Sequence, residues 1–372
     1  MTANGPRFVP RAFAELPQWA ADRHGKAFAA FRLSCARIDW VARERASEAG
    51  GTAKGEPHPF LAVCLRALAH GEGIADAQAK AFFESHFVPH EVVQPDGDGF
   101  LTGYFEPELR ASRTPSDTFY VPVYGKPDDL TVLVPDEKRG TLSDQMTAGR
   151  KTSDGVKPYP TRKAIEQGAL RGRGLEIVFL DDPVAAFIMH VQGSGRAVLA
   201  DGTVLRLSYA AKNGHPYTSI GRLLIERGEI GKDEMSLDTL TGWLRAHPKQ
   251  ARELMWENRS YIFFKEVVGQ DSTAGPLGAQ NVALTAGRSL AVDPGFHELG
   301  TPIWVSAPDL DAHGAASFHR LMVAQDVGSA IKGPERGDIF WGSGEAAGSI
   351  AGRTRHTGRF YVLLPRSDLP DS

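Results

Sequence analysis

The 372-residue sequence predicts an α+β protein weighted toward β. A helical N-terminal region comes first, a C-terminal barrel or sandwich last, and a mixed block is inserted between them. Three observations carry this. After Ser260 seven short apolar runs follow one another with turn residues between them: YIFFKEV, NVALTA, LAVDP, PIWVSA, FHRLMVAQDV, GDIFWG and GRFYVLLP. That spacing suits a barrel or sandwich better than a parallel α/β sheet. The first ninety residues instead place apolar side chains at helical intervals. The 40 Gly and 24 Pro are spread along the chain, which favours many turns and short strands.

Residues 11–48 read as helix, because Phe28, Phe31, Cys35 and Ile38 recur every three or four positions. Ala49–Pro59 is a break. A second helix covers about 60–70, with Leu61, Cys64, Leu65 and Leu68 on one face, and a third covers 75–85. Glycines and aromatics alternate from Asp96 to Ser112, and Phe119–Gly125 reads as an edge strand because of its proline. Residues 126–157 read as polar loop. Tyr159–Leu170 is a short helix capped by Thr161. Glu176–Leu180 is a strand. Arg196–Ala210 is a hairpin in which Asp201-Gly202 supplies a type I′ turn. Two more helices follow near 218–228 and 237–257, the second broken at Pro248.

Composition removes several classes of function. The 42 Lys+Arg nearly balance the 45 Asp+Glu, unlike a nucleic-acid-binding polycation. No apolar run approaches the roughly 18 residues that would span a bilayer. Met1–Pro10 lacks the apolar core of a signal peptide, so the chain is either cytosolic or trimmed of its targeting segment. The two cysteines, Cys35 and Cys64, are either buried free thiols or one disulfide joining the first two helices. There is no Cys/His cluster with zinc spacing, and Pro89 argues against His86 and His90 sharing a helical face. No metal or cofactor is expected.

Gly342-x-Gly344-x-x-Ala347 follows an apolar run, as in a dinucleotide fingerprint. No helical apolar period follows it, however, and no acidic residue lies about 20 positions on, so the glycines read as turns in an all-β region. Gln192–Arg196 does not fit the nucleophile elbow, because Gly193 and Gly195 flank Ser194 directly. It reads as a tight loop, or as one that offers hydrogen bonds to a polar ligand. The paired motifs of an aspartic protease are missing. That leaves carboxylates: Asp326 at the end of a strand, and Asp338 twelve residues on, heading Ile339-Phe340-Trp341. Asp338 is either a turn residue bonded to its own backbone or a general acid whose pKa is raised beside aromatic surface. Arg336 and Lys332 would pull that pKa the other way.

Several long segments resemble the membrane-bound lytic murein transglycosylase A family. They are LTGYFEPELRAS, YPTRKAI, VQGSG, YAAKNGHPYTSIGRLLIERGEI, FFKEV, GAQNVALTAGRSLAVDP, LMVAQDVGSAIKGPERGDIFWGSGEAAG and GRFYVLLP, in order over about residues 96–365. The resemblance implies a double-psi β-barrel from 96–111 and 248–372, with the helical region 1–95 packed on it. It also implies a smaller β domain inserted at 112–247, and a glycan groove between the two. The implied reaction is non-hydrolytic cleavage of the β-1,4 bond between N-acetylmuramic acid and N-acetylglucosamine in peptidoglycan, leaving a 1,6-anhydromuramoyl end.

The family's single catalytic aspartate matches Asp338, and Asp326 matches its second aspartate, expected both to help with the developing oxocarbenium charge and to orient Lys332 or the Asp338 strand. Thr102, Tyr104, Gln192, Ser194, Lys332 and Trp341 are candidate sugar contacts, with barrel packing the competing reading for Tyr104 and Trp341. The expected partner is the peptidoglycan glycan strand, not nucleic acid, with cell-wall enzyme complexes as further partners of a monomer. The expected location is the periplasm in association with the outer membrane, which would favour the disulfide. Two other readings compete: a hydrolase pairing Asp338 with Asp326 or Glu345, and a non-catalytic peptidoglycan-binding protein.

Overall fold

The computed structural model describes residues 5–48, 58–71, 73–95, 97–133, 145–269, 274–311 and 317–366. The chain divides into two compact units. One takes in 1–104, 277–342 and 353–372, and the other 105–276 and 343–352.

Six strands close the barrel of the first unit. Their order is Arg355–Pro365, Pro302–Ala307, Phe318–Val327, Ser289–Val292, Arg336–Ser343 and Gly99–Glu106, the last pairing back onto the first. The Ser289–Val292 strand runs parallel to Phe318–Val327 and antiparallel to Arg336–Ser343. Closure leaves the ring without an open edge. Arg7–Pro10 and Phe87–Val93 add two antiparallel strands outside the Arg355–Pro365 strand.

The N-terminal helices are His24–Glu48, Leu61–Ala69 and Asp76–His86. Their apolar stripes meet the barrel wall in one core, where Phe28, Phe31, Phe83 and Phe87 pack with Trp304, Leu321 and Leu363. Each such aromatic contributes about 1.5–3 kcal/mol by leaving water. Polar ties fix the register of this packing. Arg288 holds Asp22 at 2.7 Å with both side chains about 5% exposed or less. Gln325 Nε2 donates to Ala30 O and to Ser34 Oγ, each at 2.9 Å. Burial pushes the Asp22 carboxyl up, but the Arg288 hydrogen bonds and charge outweigh it and hold it below the ordinary value.

Residues 11–23 do not continue the first helix. They form two 3-10 turns, Phe13–Glu15 and Trp19–Ala21. Pro17 explains the break: it forces Leu16 into an extended conformation (ψ 124°). Most of the break expected over 49–59 lies outside the described residues. Cys35 and Cys64 are joined as a disulfide, which decides between the two readings of these cysteines.

The second unit holds a six-stranded sheet in the order Ile262–Val267, Val204–Lys212, Ser194–Val198, Glu108–Ser112, Glu176–Leu180, Val121–Tyr124. Ile262–Val267, the first of the seven apolar runs, therefore pairs here and not in the barrel. The second run, Asn281–Ala286, is bend and irregular chain and not a strand, with one isolated bridge between Ala283 and Leu277. Residues 126–157 are not all loop, because Leu130–Val132, Ala148–Thr152 and Gly155–Lys157 make a small sheet; residues 134–144 lie outside the described set.

The hairpin turn also differs from expectation. Gly202 N donates to Leu199 O at 3.0 Å, and only Gly202, not Asp201, takes a positive φ (84°). This is a three-residue loop ending in a left-handed glycine, not a type I′ turn. Thr161 caps its helix as expected, its hydroxyl oxygen accepting from Ala164 N. Among the described residues no helix is long and apolar enough to cross a membrane.

Two helices escape the periodicity reading. Pro183–Gln192 is apolar all round, so it shows no amphipathic stripe; its signals are the Asp182 cap, Pro183 at the first position and the left-handed Gly193. Gly344–Arg353, read above as turns, is helical. Its propensity is poor, but its small residues allow close packing. Gly348 sits where an added Cβ would lie 2.8 Å from the Phe105 ring, and at Gly352 it would lie 2.7 Å from Leu237. The strand before it pairs antiparallel with Ser289–Val292, so there is no parallel βαβ crossover and no dinucleotide fold.

Removing the disulfide by the double change Cys35→Ala, Cys64→Ala should lower unfolding stability by ~3–4 kcal/mol on the loop-entropy model. Urea unfolding of the two forms would measure it.

Candidate active site

The carboxylates of interest lie on strands that flank Ser289–Val292. Ala291 is in register with Asp338 on one side and Asp326 on the other. The two Cα atoms are thus two strand spacings apart, roughly 9–10 Å. Thr102 and Tyr104 stand two residues apart on Gly99–Glu106, the strand beside Asp338, so the pleat aims both at one face.

Thr102 Oγ1 donates to Asp338 Oδ1 at 2.6 Å. Arg336 Nη2 in turn donates to Thr102 Oγ1 at 2.8 Å. Because the guanidinium only donates, the threonine proton has to point toward Asp338. Arg336 is itself steadied over the Phe100 ring, 5.2 Å from its centroid.

Asp338 keeps partial access to solvent while being densely packed by protein. Burial raises its pKa from 3.8 to about 6. The Thr102 hydrogen bond and the Arg336 charge oppose this, and the Asp326 charge adds to it. Of the opposing effects named from the sequence, desolvation is the larger here. Asp338 is not a turn residue bonded to its own backbone.

Asp326 is differently placed. Its Oδ1 accepts from Ala279 N and Val327 N, both at 2.9 Å, and its Oδ2 accepts from Tyr104 OH at 2.9 Å. Burial raises its pKa, while these three donors favour the charged form. Two backbone donors and a phenol leave it little freedom to attack a substrate or activate a water.

The remaining candidates divide clearly. Tyr104 is buried, with its ring 5.3 Å from Phe340 and its hydroxyl on Asp326. Trp341 is 5% exposed, and its indole N–H donates to Thr354 Oγ1 at 3.0 Å. Strand alternation puts Trp341 on the face opposite Asp338 and Phe340, so it is core and not a stacking platform. Lys332 pairs with Asp293 at 3.4 Å and not with Asp326. Asp293 also accepts from Gly333 N and Gly295 N; it was missed because only the folded chain brings residues 293 and 333 together. Gln192 and Ser194 belong to the second unit, where Gln192 Oε1 accepts from Phe105 N at 3.0 Å and Ser194 is buried at the start of its strand. Glu345 is exposed in the first turn of its helix.

This is a closed barrel that carries a desolvated carboxyl with a raised pKa, and comparison with known proteins places it. Residues 100–265 match the family model described as the MltA specific insert domain, and residues 288–364 match that of the 3D domain. The crystal structure of a membrane-bound lytic murein transglycosylase from Agrobacterium tumefaciens superposes with TM-score 0.86 and 38% identity, covering 97% of this chain and 98% of that one. MltA from Neisseria gonorrhoeae gives TM-score 0.80 and 32% identity over 100% and 96%. The curated membrane-bound lytic murein transglycosylase A of Vibrio cholerae is 36% identical over 273 residues. That alignment covers 72% of this chain and spans 66% of the relative's length. The chain belongs to the membrane-bound lytic murein transglycosylase A family.

Two outcomes follow from the geometry. Asp338 has a folded pKa above its unfolded value, so its protonated form stabilises the fold. That stability is full below about pH 4 and is lost as the pH rises through about 6, at a cost of up to about 3 kcal/mol. Asp338→Asn should therefore raise the unfolding midpoint at pH 7.5 and leave it unchanged near pH 3.5, which thermal melts at the two pH values would show. Thr102→Val removes a donor to the charged carboxylate. It should move the Asp338 titration, followed by carboxyl NMR, upward by about one pH unit.

Proposed function

We propose that this chain cleaves the β-1,4 bond between N-acetylmuramic acid and N-acetylglucosamine in peptidoglycan without water, leaving a 1,6-anhydromuramoyl end. The observation that carries this reading is Asp338, a carboxyl whose pKa is raised to about 6, beside a second carboxylate already occupied by three donors. The Escherichia coli relative, 30% identical and with TM-score 0.64, has been solved with bound chitohexaose, which supports a glycan substrate here.

The chemistry fits one carboxyl. Near pH 6 Asp338 is part protonated, and in that form it donates to the leaving glycosidic oxygen. The resulting carboxylate is stabilised by the Thr102 hydroxyl, whose proton Arg336 keeps aimed at it. It then takes the proton from the C6 hydroxyl of the same muramic sugar as that oxygen closes onto C1. A hydrolase usually needs a second carboxylate to activate water or to attack. Here the nucleophile is already held on the reacting sugar, and its proximity replaces much of that work. Tyr104 and Asp326 brace the wall on which Asp338 sits. The Cys35–Cys64 disulfide supports an oxidising compartment, consistent with a periplasmic location.

Asp338→Asn should cut the release of muropeptides from purified sacculi by about 10²–10⁴-fold while sacculus binding is retained. Mass spectrometry of wild-type products should show anhydro ends. Reducing ends would establish a hydrolase, and undiminished release by the variant would remove Asp338 from the mechanism.

A further inference from the structure

A second site lies within the second unit. A cavity of about 420 Å³ opens there, inside the ~300–1,000 Å³ range of small-ligand pockets. It is lined by Arg162, His190, Glu166, Arg171 and Arg252, with aromatic walls that include Tyr120, Phe187, Trp256 and Tyr261.

The lining holds more donors than acceptors. Arg162 is 2% exposed. It spends three N–H groups on Asn258 O, Ser260 O and Glu166, and its guanidinium lies over the Phe187 and Tyr261 rings. Two of its five N–H groups have no partner among the described residues. His190 is 6% exposed, and its Nδ1 accepts from Ile262 N at 3.3 Å. Burial and the Arg162 charge keep it neutral. The proton therefore sits on Nε2, a donor with no partner among the described residues. Arg171 and Arg252 are exposed, and neither guanidinium has a hydrogen-bond partner among the described residues. The one acid in the lining, Glu166, is already taken by Arg162 Nη1 and Trp256 Nε1. The cavity thus offers three guanidiniums and an imidazole N–H beside aromatic surface, with a single carboxylate that is already engaged.

We propose that this cavity binds a short peptide through its free carboxylate, with the arginines and His190 holding the carboxylate and the aromatic wall covering the apolar part. Identifying that peptide with the stem carried by the wall glycan rests on the function proposed above; the binding itself does not. The site would let the enzyme distinguish peptide-bearing strands from bare ones.

The test uses the full chain and free stem peptides released from sacculi by an amidase, which contain no glycosidic bond. Calorimetry should show binding to the wild type and to Asp338→Asn alike. Affinity should fall about tenfold when the carboxylates are methyl-esterified or when Arg171→Gln and Arg252→Gln are combined, the scale of one charge-assisted hydrogen bond. Turnover of peptide-stripped glycan should be the same for that double variant as for the wild type, while turnover of intact sacculi should drop. No detectable peptide binding, equal affinity after esterification or in the double variant, or displacement by acetate as effective as by peptide would each overturn the proposal. Because the binding arm never reads bond cleavage, its failure is distinct from failure of the transglycosylase reading.

Discussion

The hydrogen bond from Thr102 to Asp338, with Arg336 behind it, is the contact on which the charge state of the proposed acid depends. Without these two, desolvation would hold the carboxyl protonated to higher pH and weaken it as a base. A full ion pair with Arg336 would hold it ionised and useless as an acid. Inserting a hydroxyl between the two gives an intermediate outcome. The cation acts both through its own charge and through a donor whose direction it fixes, and with burial winning the carboxyl's pKa is raised to about 6, where one group can both give and recover a proton.

The barrel exists in a form that makes this possible. Asp338 and Asp326 face the same residue, Ala291, from opposite sides. Closure then brings the Gly99–Glu106 strand alongside Asp338. Residues more than two hundred positions apart thereby become strand neighbours, and the period-two pleat turns Thr102 and Tyr104 to the same face. Asp326 earns its place by fixing that face. With two backbone amides and a phenol on it, it joins the loop at Ala279 to the end of its own strand, and it also raises the proton affinity of Asp338.

Much was legible in the residues. The helical stripe of Phe28, Phe31, Cys35 and Ile38 packs as read, and Thr161 caps its helix. The long motifs pointed to the family and to Asp338 and Asp326. Two helices were hidden for opposite reasons: Pro183–Gln192 because it is apolar on every side, and Gly344–Arg353 because its small residues have weak propensity and gain from packing against Phe105 and Leu237. Trp341 looked like a sugar platform because an aromatic next to an acidic strand often is one; the pleat turns it inward instead.

Local pattern therefore sets the amphipathic helices and the apolar strands, which of their faces are apolar and which acids are candidates, since these depend on neighbours a few residues away. It does not set which strands pair. Ile262–Val267 carries the same apolar signature as the barrel strands yet joins another sheet. The partners of Lys332, Asp326 and Cys35, and the balance of burial against hydrogen bonding at Asp338, were likewise decided only when distant residues met. A pKa and a contact are properties of surroundings, and the surroundings are assembled by the fold.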